Sequence, residues 1–136
     1  MAIKIWQDLG LPIYILTNQS GLSRGYFTEK DLELIHTQMQ NDLLQVGLKP
    51  FNGFLVCPHQ PDDHCECRKP LPKLAFELIK QLGIDPKETL MIGDKDIDAQ
   101  TGINLGGEGL IIRSKVKSSY QSFPDLISLA RLMKNK

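Results

Sequence analysis

The sequence predicts an α/β domain built on a parallel sheet with helices on its faces. Two observations carry this. Short apolar runs rich in β-branched residues, "LPIYILTN", "FNGFLVCP", "TLMIGD" and "GLII", read as strands buried on both sides. Between them lie segments whose apolar residues recur at helical spacing, so strand and helix alternate along the chain. That order yields parallel strands joined by crossovers.

Each element has its own signal. Ala2, Ile5, Trp6 and Leu9 form a helical stripe, and Gly10 stands where a left-handed cap belongs, so the chain opens inside a helix. The run 11–18 is the first strand. Thr28 can cap the next helix with Asp31 reaching back, and Leu32, Ile35, Met39 and Leu43 make its apolar stripe before Gly47. Residues 51–58 form the second strand. Leu74, Leu78, Ile79 and Leu82 line a helix that stops at Gly83, and Asp85-Pro86 starts a short helical turn. After the strand at 89–94, Ile97, Thr101 and Leu105 mark a helix ending at Gly106-Gly107. "GLII" is the last strand, Ser114 to Ser122 a polar loop, and "FPDLISLARLM" a terminal helix.

At 136 residues, 41% hydrophobic and 24% charged, the chain fits a single domain spanning 1–136. Sixteen basic residues balance sixteen acidic ones, so no long-range field favours a nucleic acid or an anionic membrane as partner. A zinc-ribbon nucleic acid binder is disfavoured on the same ground. The apolar runs are too short to span a bilayer, and the order of a signal peptide is absent from the start, so a cytoplasmic protein is expected.

All three cysteines and two of the three histidines fall in "CPHQPDDHCECRKP". Cys57, His59, Cys65 and Cys67 supply three thiolates and one imidazole, a full set for a tetrahedral zinc. A closed shell of four leaves no open position, so this Zn²⁺ is expected to be structural. His64 competes with His59 as the nitrogen ligand; the rigid Pro58 favours His59. One residue separates Cys65 from Cys67, which excludes a C-x-x-C redox pair. Arg68 and Lys69 follow the last ligand directly, so a metal at Cys67 would fix where these two cations point.

Two strand ends complete the set of candidates. "LTNQSGLSRG" places Thr17, Asn18 and Ser20 at the carboxyl end of a buried strand, where open α/β sheets bind ligands, and these groups with Arg24 suit a phosphoryl group. "MIGDKDIDAQ" alternates Asp94, Asp96 and Asp98, but lacks the Gly and distal Glu of a calcium loop. One such carboxylate facing a phosphate suits Mg²⁺, and Lys95 adds charge at the same mouth.

In this order, "ILTNQSG", "CPH…CECRKP" and "IGDKDID" resemble the haloacid dehalogenase superfamily of phosphatases, on its branch of heptose bisphosphate phosphatases, with histidinol-phosphate phosphatases as siblings. The resemblance runs to about Ile112. It implies a Rossmann-like parallel sheet with flanking helices, a small phosphorylated substrate, catalytic Mg²⁺ and structural Zn²⁺. It further implies that Thr17 binds the transferring phosphoryl, Lys69 stabilises it and Asn18 contacts substrate. Asp94 would ligate Mg²⁺ with Lys95 and Asp98 in support, while Arg68 and Arg24 would hold the rest of the anion.

The superfamily also opens with a central strand ending in Asp-x-Asp, whose first Asp forms an aspartyl-phosphate and whose second is the general acid and base. Here the only Asp-x-Asp lies within Asp94 to Asp98, so the sequence reads as lacking this nucleophile-bearing strand, which belongs between "PIYILT" and "TLMIG". About five buried apolar residues at roughly 1.5–3 kcal/mol each amount to on the order of 10 kcal/mol. Domains are stable by only about 5–15 kcal/mol. The sequence therefore predicts a chain that alone is poorly stable or rearranged, and a reading frame that starts on the order of thirty residues upstream. A monomer is expected once the N-terminus is complete. The competing expectation is a non-catalytic, zinc-containing phosphate-binding fragment or subunit completed by another chain.

Overall fold

The computed structural model describes residues 1–112 and 118–135. Helix α1, Ala2–Asp8, leads to strand β1, Tyr14–Asn18, through Gly10, whose φ of 77° is one a side chain rarely tolerates. Helix α2 covers Glu29–Gln45, and its start is the expected capping box: Asp31 N–H donates to Thr28 Oγ1 at 3.1 Å, and Thr28 N–H donates back to Asp31 Oδ2 at 2.9 Å. Strand β2 is Gly53–Cys57, followed by a 3-10 turn at Pro61–Asp63 and helix α3, Lys73–Leu82. A second 3-10 turn at Pro86–Glu88 precedes β3, Leu90–Gly93. Helix α4 is Asp96–Leu105, β4 is Glu108–Ile112, β5 is Ser122–Phe123 and α5 is Leu126–Lys134. No helix among the described residues is long and apolar enough to cross a membrane.

Every strand pairing is parallel, as the alternation of elements predicts. The strands fall into two sheets, β1-β2 and β3-β4-β5, and no ladder joins β1 to β3 among the described residues. The division leaves its mark on burial. Ile111, in the middle strand of the second sheet, is fully buried, whereas every residue of β1 and β3 is only half-buried despite their apolar composition.

The main core lies on one side of the second sheet. There Ala2 and Trp6 of α1 meet Leu129 and Ala130 of α5 over Leu110, and the Trp6 indole N–H donates to Met133 Sδ at 3.2 Å. On the facing side α4 presses closely onto β4. A Cβ on Gly109 would overlap the Ala99 carbonyl, and one on Gly102 would overlap the Glu108 carbonyl. Because both obstacles are backbone, Gly109→Ala is expected to destabilise the fold by about 3 kcal/mol, the upper part of the range for overpacking. Urea unfolding with an unchanged m-value is the measurement; a loss under about 0.5 kcal/mol would show that α4 shifts freely.

Several sequence expectations need correction, and the first concern helix ends: Leu9 and Leu82, placed on apolar stripes, are 45% and 47% exposed where their helices stop. Ile35 is 55% exposed, because the inward stripe of α2 steps from Leu32 to His36, Met39 and Leu43. His36 takes the inner place, its ring stacked on Phe54 at 3.9 Å. Ile97 also faces out, since the inner face of α4 carries Asp98, Ala99, Thr101 and Gly102. The end of the expected polar loop instead adds strand β5 to the sheet, and the terminal helix begins only after Asp125, whose Oδ1 accepts from Ser128 N–H at 2.8 Å. Residues 114–117 of that loop lie outside the described residues.

Candidate active site and metal cluster

Strand β2 delivers Cys57 fully buried at its carboxyl end, and the 3-10 turn folds the next ten residues back over it. The turn is fixed by Gln60 N–H donating to Asp63 Oδ2 at 2.8 Å and ends with His64 in the left-handed region, φ 53°. That turn brings Cys57, His59, Cys65 and Cys67 together, with their ligand atoms all within 4.8 Å of one another. Cys57 Sγ lies 3.6 Å from both Cys65 Sγ and His59 Nδ1, His59 Nδ1 is 3.2 Å from Cys67 Sγ, and Cys67 Sγ is 2.9 Å from Cys57 Sγ. Ligands about 2.3 Å from a tetrahedral zinc stand about 3.7 Å apart, so the donor set fits that ion with small outward shifts. His59 and not His64 belongs to the group.

The thiols titrate apart. Burial pushes Cys65 up, but hydrogen bonds from Cys57 and from the backbone at Cys67 and Arg68 outweigh it and bring the thiol down to about 7. Cys67 is raised to about 12, first by burial and then by its contacts with the Cys57 and Cys65 sulfurs. Crowded thiols that cannot all ionise together are what a divalent cation relieves.

The cluster continues directly into Arg68 and Lys69, and four contacts hold this strap. Arg68 Nη1 donates to the His59 carbonyl at 3.3 Å, and Leu71 N–H closes a turn on the Arg68 carbonyl at 2.8 Å. Lys69 N–H donates to Asn18 Oδ1 at 3.0 Å, while Asn104 Nδ2 reaches from α4 to the Pro70 carbonyl at 2.9 Å. The Lys69 ammonium meets Asp98 Oδ1 at 2.6 Å and the Leu16 carbonyl at 3.4 Å. This ion pair is well covered, with side chains 14% and 6% exposed. Asp98 is held from its other oxygen as well, since Oδ2 accepts from Lys95 N–H at 3.1 Å. Its carboxylate thus sets the lysine's position.

At the end of β1, Thr17 Oγ1 accepts from Gln19 Nε2 at 2.9 Å, and Asn18 spends its oxygen on the Lys69 backbone. Ser20 starts a turn in which its carbonyl accepts from Arg24 N–H at 3.1 Å and Ser23 Oγ at 3.2 Å, with Arg24 exposed beyond it. Asp94 and Lys95 follow β3 and are exposed. Asn18 and Asp98 thus both converge on Lys69, one on its backbone and one on its ammonium, while Arg24 stays at the rim. Gln19 and Asn104 were not among the expected residues. Gln19 had a signal, since alternate residues of a strand share a side and it stands two after Thr17. Asn104 had none, being 34 residues from its partner.

The family description "haloacid dehalogenase-like hydrolase" matches residues 1–106. The chain belongs to that family. Among its relatives, the D-glycero-beta-D-manno-heptose-1,7-bisphosphate 7-phosphatase of Helicobacter pylori strain 26695 is 32% identical over 136 residues, covering 95% of this chain and 79% of the relative. The D-glycero-alpha-D-manno-heptose-1,7-bisphosphate 7-phosphatase of Photorhabdus laumondii is 37% identical over 113 residues, covering 78% of this chain and 61% of the relative. The chain spans 59% and 65% of two further relatives with related names. Among solved structures, the D,D-heptose 1,7-bisphosphate phosphatase of B. bronchiseptica, complexed with magnesium and phosphate, superimposes with a TM-score of 0.87 at 28% identity, covering 99% of this chain and 81% of that one. The α/β architecture with parallel strands is therefore that of the haloacid dehalogenase-like fold.

Proposed function

We propose that residues 1–136 form one domain that holds phosphate in a Mg²⁺-dependent phosphomonoesterase of sugar bisphosphates, acting on the 7-phosphate of D-glycero-D-manno-heptose 1,7-bisphosphate. The observation that carries this reading is Lys69. Its ammonium is held by Asp98 at the mouth between the two sheets, and its backbone is tied both to Asn18 and to the cysteine cluster. A cation fixed before substrate arrives stabilises developing phosphoryl charge without reorganising. Thr17 and Ser20 donate to phosphate oxygens, Asn18 contacts substrate, and Arg68, Arg24 and Lys95 supply charge to the rest of the anion.

The donor chemistry fits both metals the family resemblance implies. Asp94, with Asp98 behind it, would hold Mg²⁺, which neutralises phosphoryl charge when bound and needs only one or two protein carboxylates. Cys57, His59, Cys65 and Cys67 would hold a structural Zn²⁺ in the loop 57–67. The covalent step of the family needs an aspartate at a strand end that residues 1–136 do not supply, because their only Asp-x-Asp is in the Asp94 segment. The division of the sheet between β1 and β3 favours the second reading, a phosphate-binding subunit or fragment without turnover of its own.

Phosphorus NMR separates the two. The protein isolated from its native source is expected to release the 7-phosphate in the presence of Mg²⁺, faster than it releases phosphate from histidinol phosphate. The 136-residue chain alone is expected to bind inorganic phosphate but turn over at least about a hundredfold slower, the scale of losing a reacting group. Absence of release from either substrate by the native protein would remove the enzymatic reading.

A further inference from the structure

We propose that the cysteine cluster is also a modification site, at which a peroxide joins Cys57 to Cys67 in a disulfide that replaces zinc as the tie between β2 and the Lys69 strap. The inference goes beyond the phosphatase reading and stands whether or not the chain turns over a phosphate ester.

The sulfurs are unevenly spaced. Cys67 Sγ lies 2.9 Å from Cys57 Sγ, whereas Cys65 Sγ lies 3.6 Å from it. Disulfide sulfurs stand about 2.05 Å apart, so Cys57 and Cys67 have the shorter approach to make. These two residues are ten positions apart, which leaves chain enough to turn between them, while a single residue separates Cys65 from Cys67. Access differs as well. Cys57 is fully buried, and Cys65 and Cys67 are half-buried. An oxidant therefore meets a rim thiol first and leaves the buried one to resolve it.

The step balances with peroxide as the oxidant. The Cys67 thiolate attacks one peroxide oxygen, the O–O bond breaks, and hydroxide leaves behind a sulfenic acid. The Cys57 thiolate then attacks the Cys67 sulfur, forming the S–S bond and expelling a second hydroxide. Two thiolates, hydrogen peroxide and two solvent protons thus become one disulfide and two waters; the sulfurs lose the two electrons that the peroxide gains. A dithiol reductant reverses the bond by exchange.

The product would hold one part of the site and release another. Cys57 ends β2, and Cys67 is followed directly by Arg68 and Lys69. A bond between the two sulfurs spans the same gap as a shared metal, so Lys69 N–H keeps Asn18 Oδ1 and Asn104 Nδ2 keeps the Pro70 carbonyl. The loop 58–66 fares differently. His59 and Cys65 are the donors left to it, too few for a closed zinc shell. Its own turn, in which Gln60 N–H donates to Asp63 Oδ2, and an exposed Lys73–Glu66 pair at 3.4 Å are weak ties by comparison. Pro61, His64 and Glu66 of this loop line a cleft of about 480 Å³ together with Arg68 and Lys69. Oxidation would loosen that wall of the cleft and leave the lysine in place.

The test treats the reduced chain, with its zinc, with hydrogen peroxide in the presence of a colorimetric zinc chelator. Zinc release is expected, with peptide mapping after alkylation showing Cys57 bridged to Cys67 and Cys65 alkylated; a dithiol reductant should restore all three thiols. Hydrogen exchange at the Gln60 and Asp63 amides, which close the turn of the loop, should quicken at least about tenfold, while the Lys69 amide changes by less than about threefold. Cys65→Ser retains the pair and should still form the bridge, so the proposal does not depend on Cys57→Ser folding. Thiols left unbridged by peroxide, a bridge that maps to Cys65, or a Lys69 amide that quickens as much as that of Asp63 would overturn the proposal.

Discussion

The purified protein is expected to carry about one zinc per chain, and Cys57→Ser to carry almost none. Cys57 is the buried end of β2 and touches the other three donors, so its loss leaves an open shell and an unpaired thiol pair at Cys65 and Cys67. Zinc binding in small domains is worth about 10–16 kcal/mol and is itself folding energy. The loop 57–67 has no buried apolar residue besides Cys57, so a bound zinc would be its main source of order. Even a fifth of that energy, about 2–3 kcal/mol, is a large share of a stability of about 5–15 kcal/mol. Cys65→Ser should lose the metal too, whereas His64→Ala should keep it, because His64 stands outside the group. The sign with pH follows from the thiols. Cys67, raised to about 12, would have its proton displaced into solvent by zinc at any working pH, whereas Cys65, lowered to about 7, holds its proton mainly below neutrality. Protons compete with zinc, so affinity is highest at alkaline pH and falls as pH is lowered, most steeply below about 7, where both thiols must be deprotonated by the metal. A chelator competition across that window reads it. Zinc content near zero in the parent protein would remove the metal from the account.

That cluster was the most legible part of the site, for a physical reason. Its four donors lie within eleven residues, so spacing alone nearly determines the geometry, and the structure then chose His59 over His64 through a left-handed turn at His64. Helix starts and stops were legible on the same terms: Thr28 with Asp31, and Gly83 and Gly106 in positive φ, are local effects. Ile35 and Ile97 face outward because apolar type alone does not decide burial: His36 gains a stacked partner on β2 and Asp98 is drawn inward by Lys69. Strand β5 escaped notice because two residues carry no period. The least legible feature was the pairing of Lys69 with Asp98 across 29 residues; sequence placed both near a phosphate but gave no sign that each would hold the other.

Lys69→Met is expected to destabilise the fold by about 3 kcal/mol, the lower end of the range for breaking a buried ion pair. The pair is covered on both sides, so removing the ammonium leaves the Asp98 carboxylate with the Lys95 N–H as its remaining hydrogen-bond partner. Asp98→Asn should cost less, because the amide oxygen still accepts from Lys95 N–H and the uncompensated ammonium can turn toward solvent at the mouth. In the double substitution no charge is left unpaired. Lys69→Met with Asp98→Asn is therefore expected to be more stable than Lys69→Met alone, with a coupling of about 1–3 kcal/mol measured by urea unfolding. Phosphate binding should behave differently. It depends on a positive charge and not on a balanced pair, so it should fall at least about tenfold in Lys69→Met and stay low in the double variant. Equal stability of the double variant and Lys69→Met would show that the pair behaves like an exposed one, worth under about 1 kcal/mol. Restored stability without restored binding would instead separate the two roles of Lys69, as the partner that lets Asp98 be buried and as the cation that Asp98 holds ready for an anion.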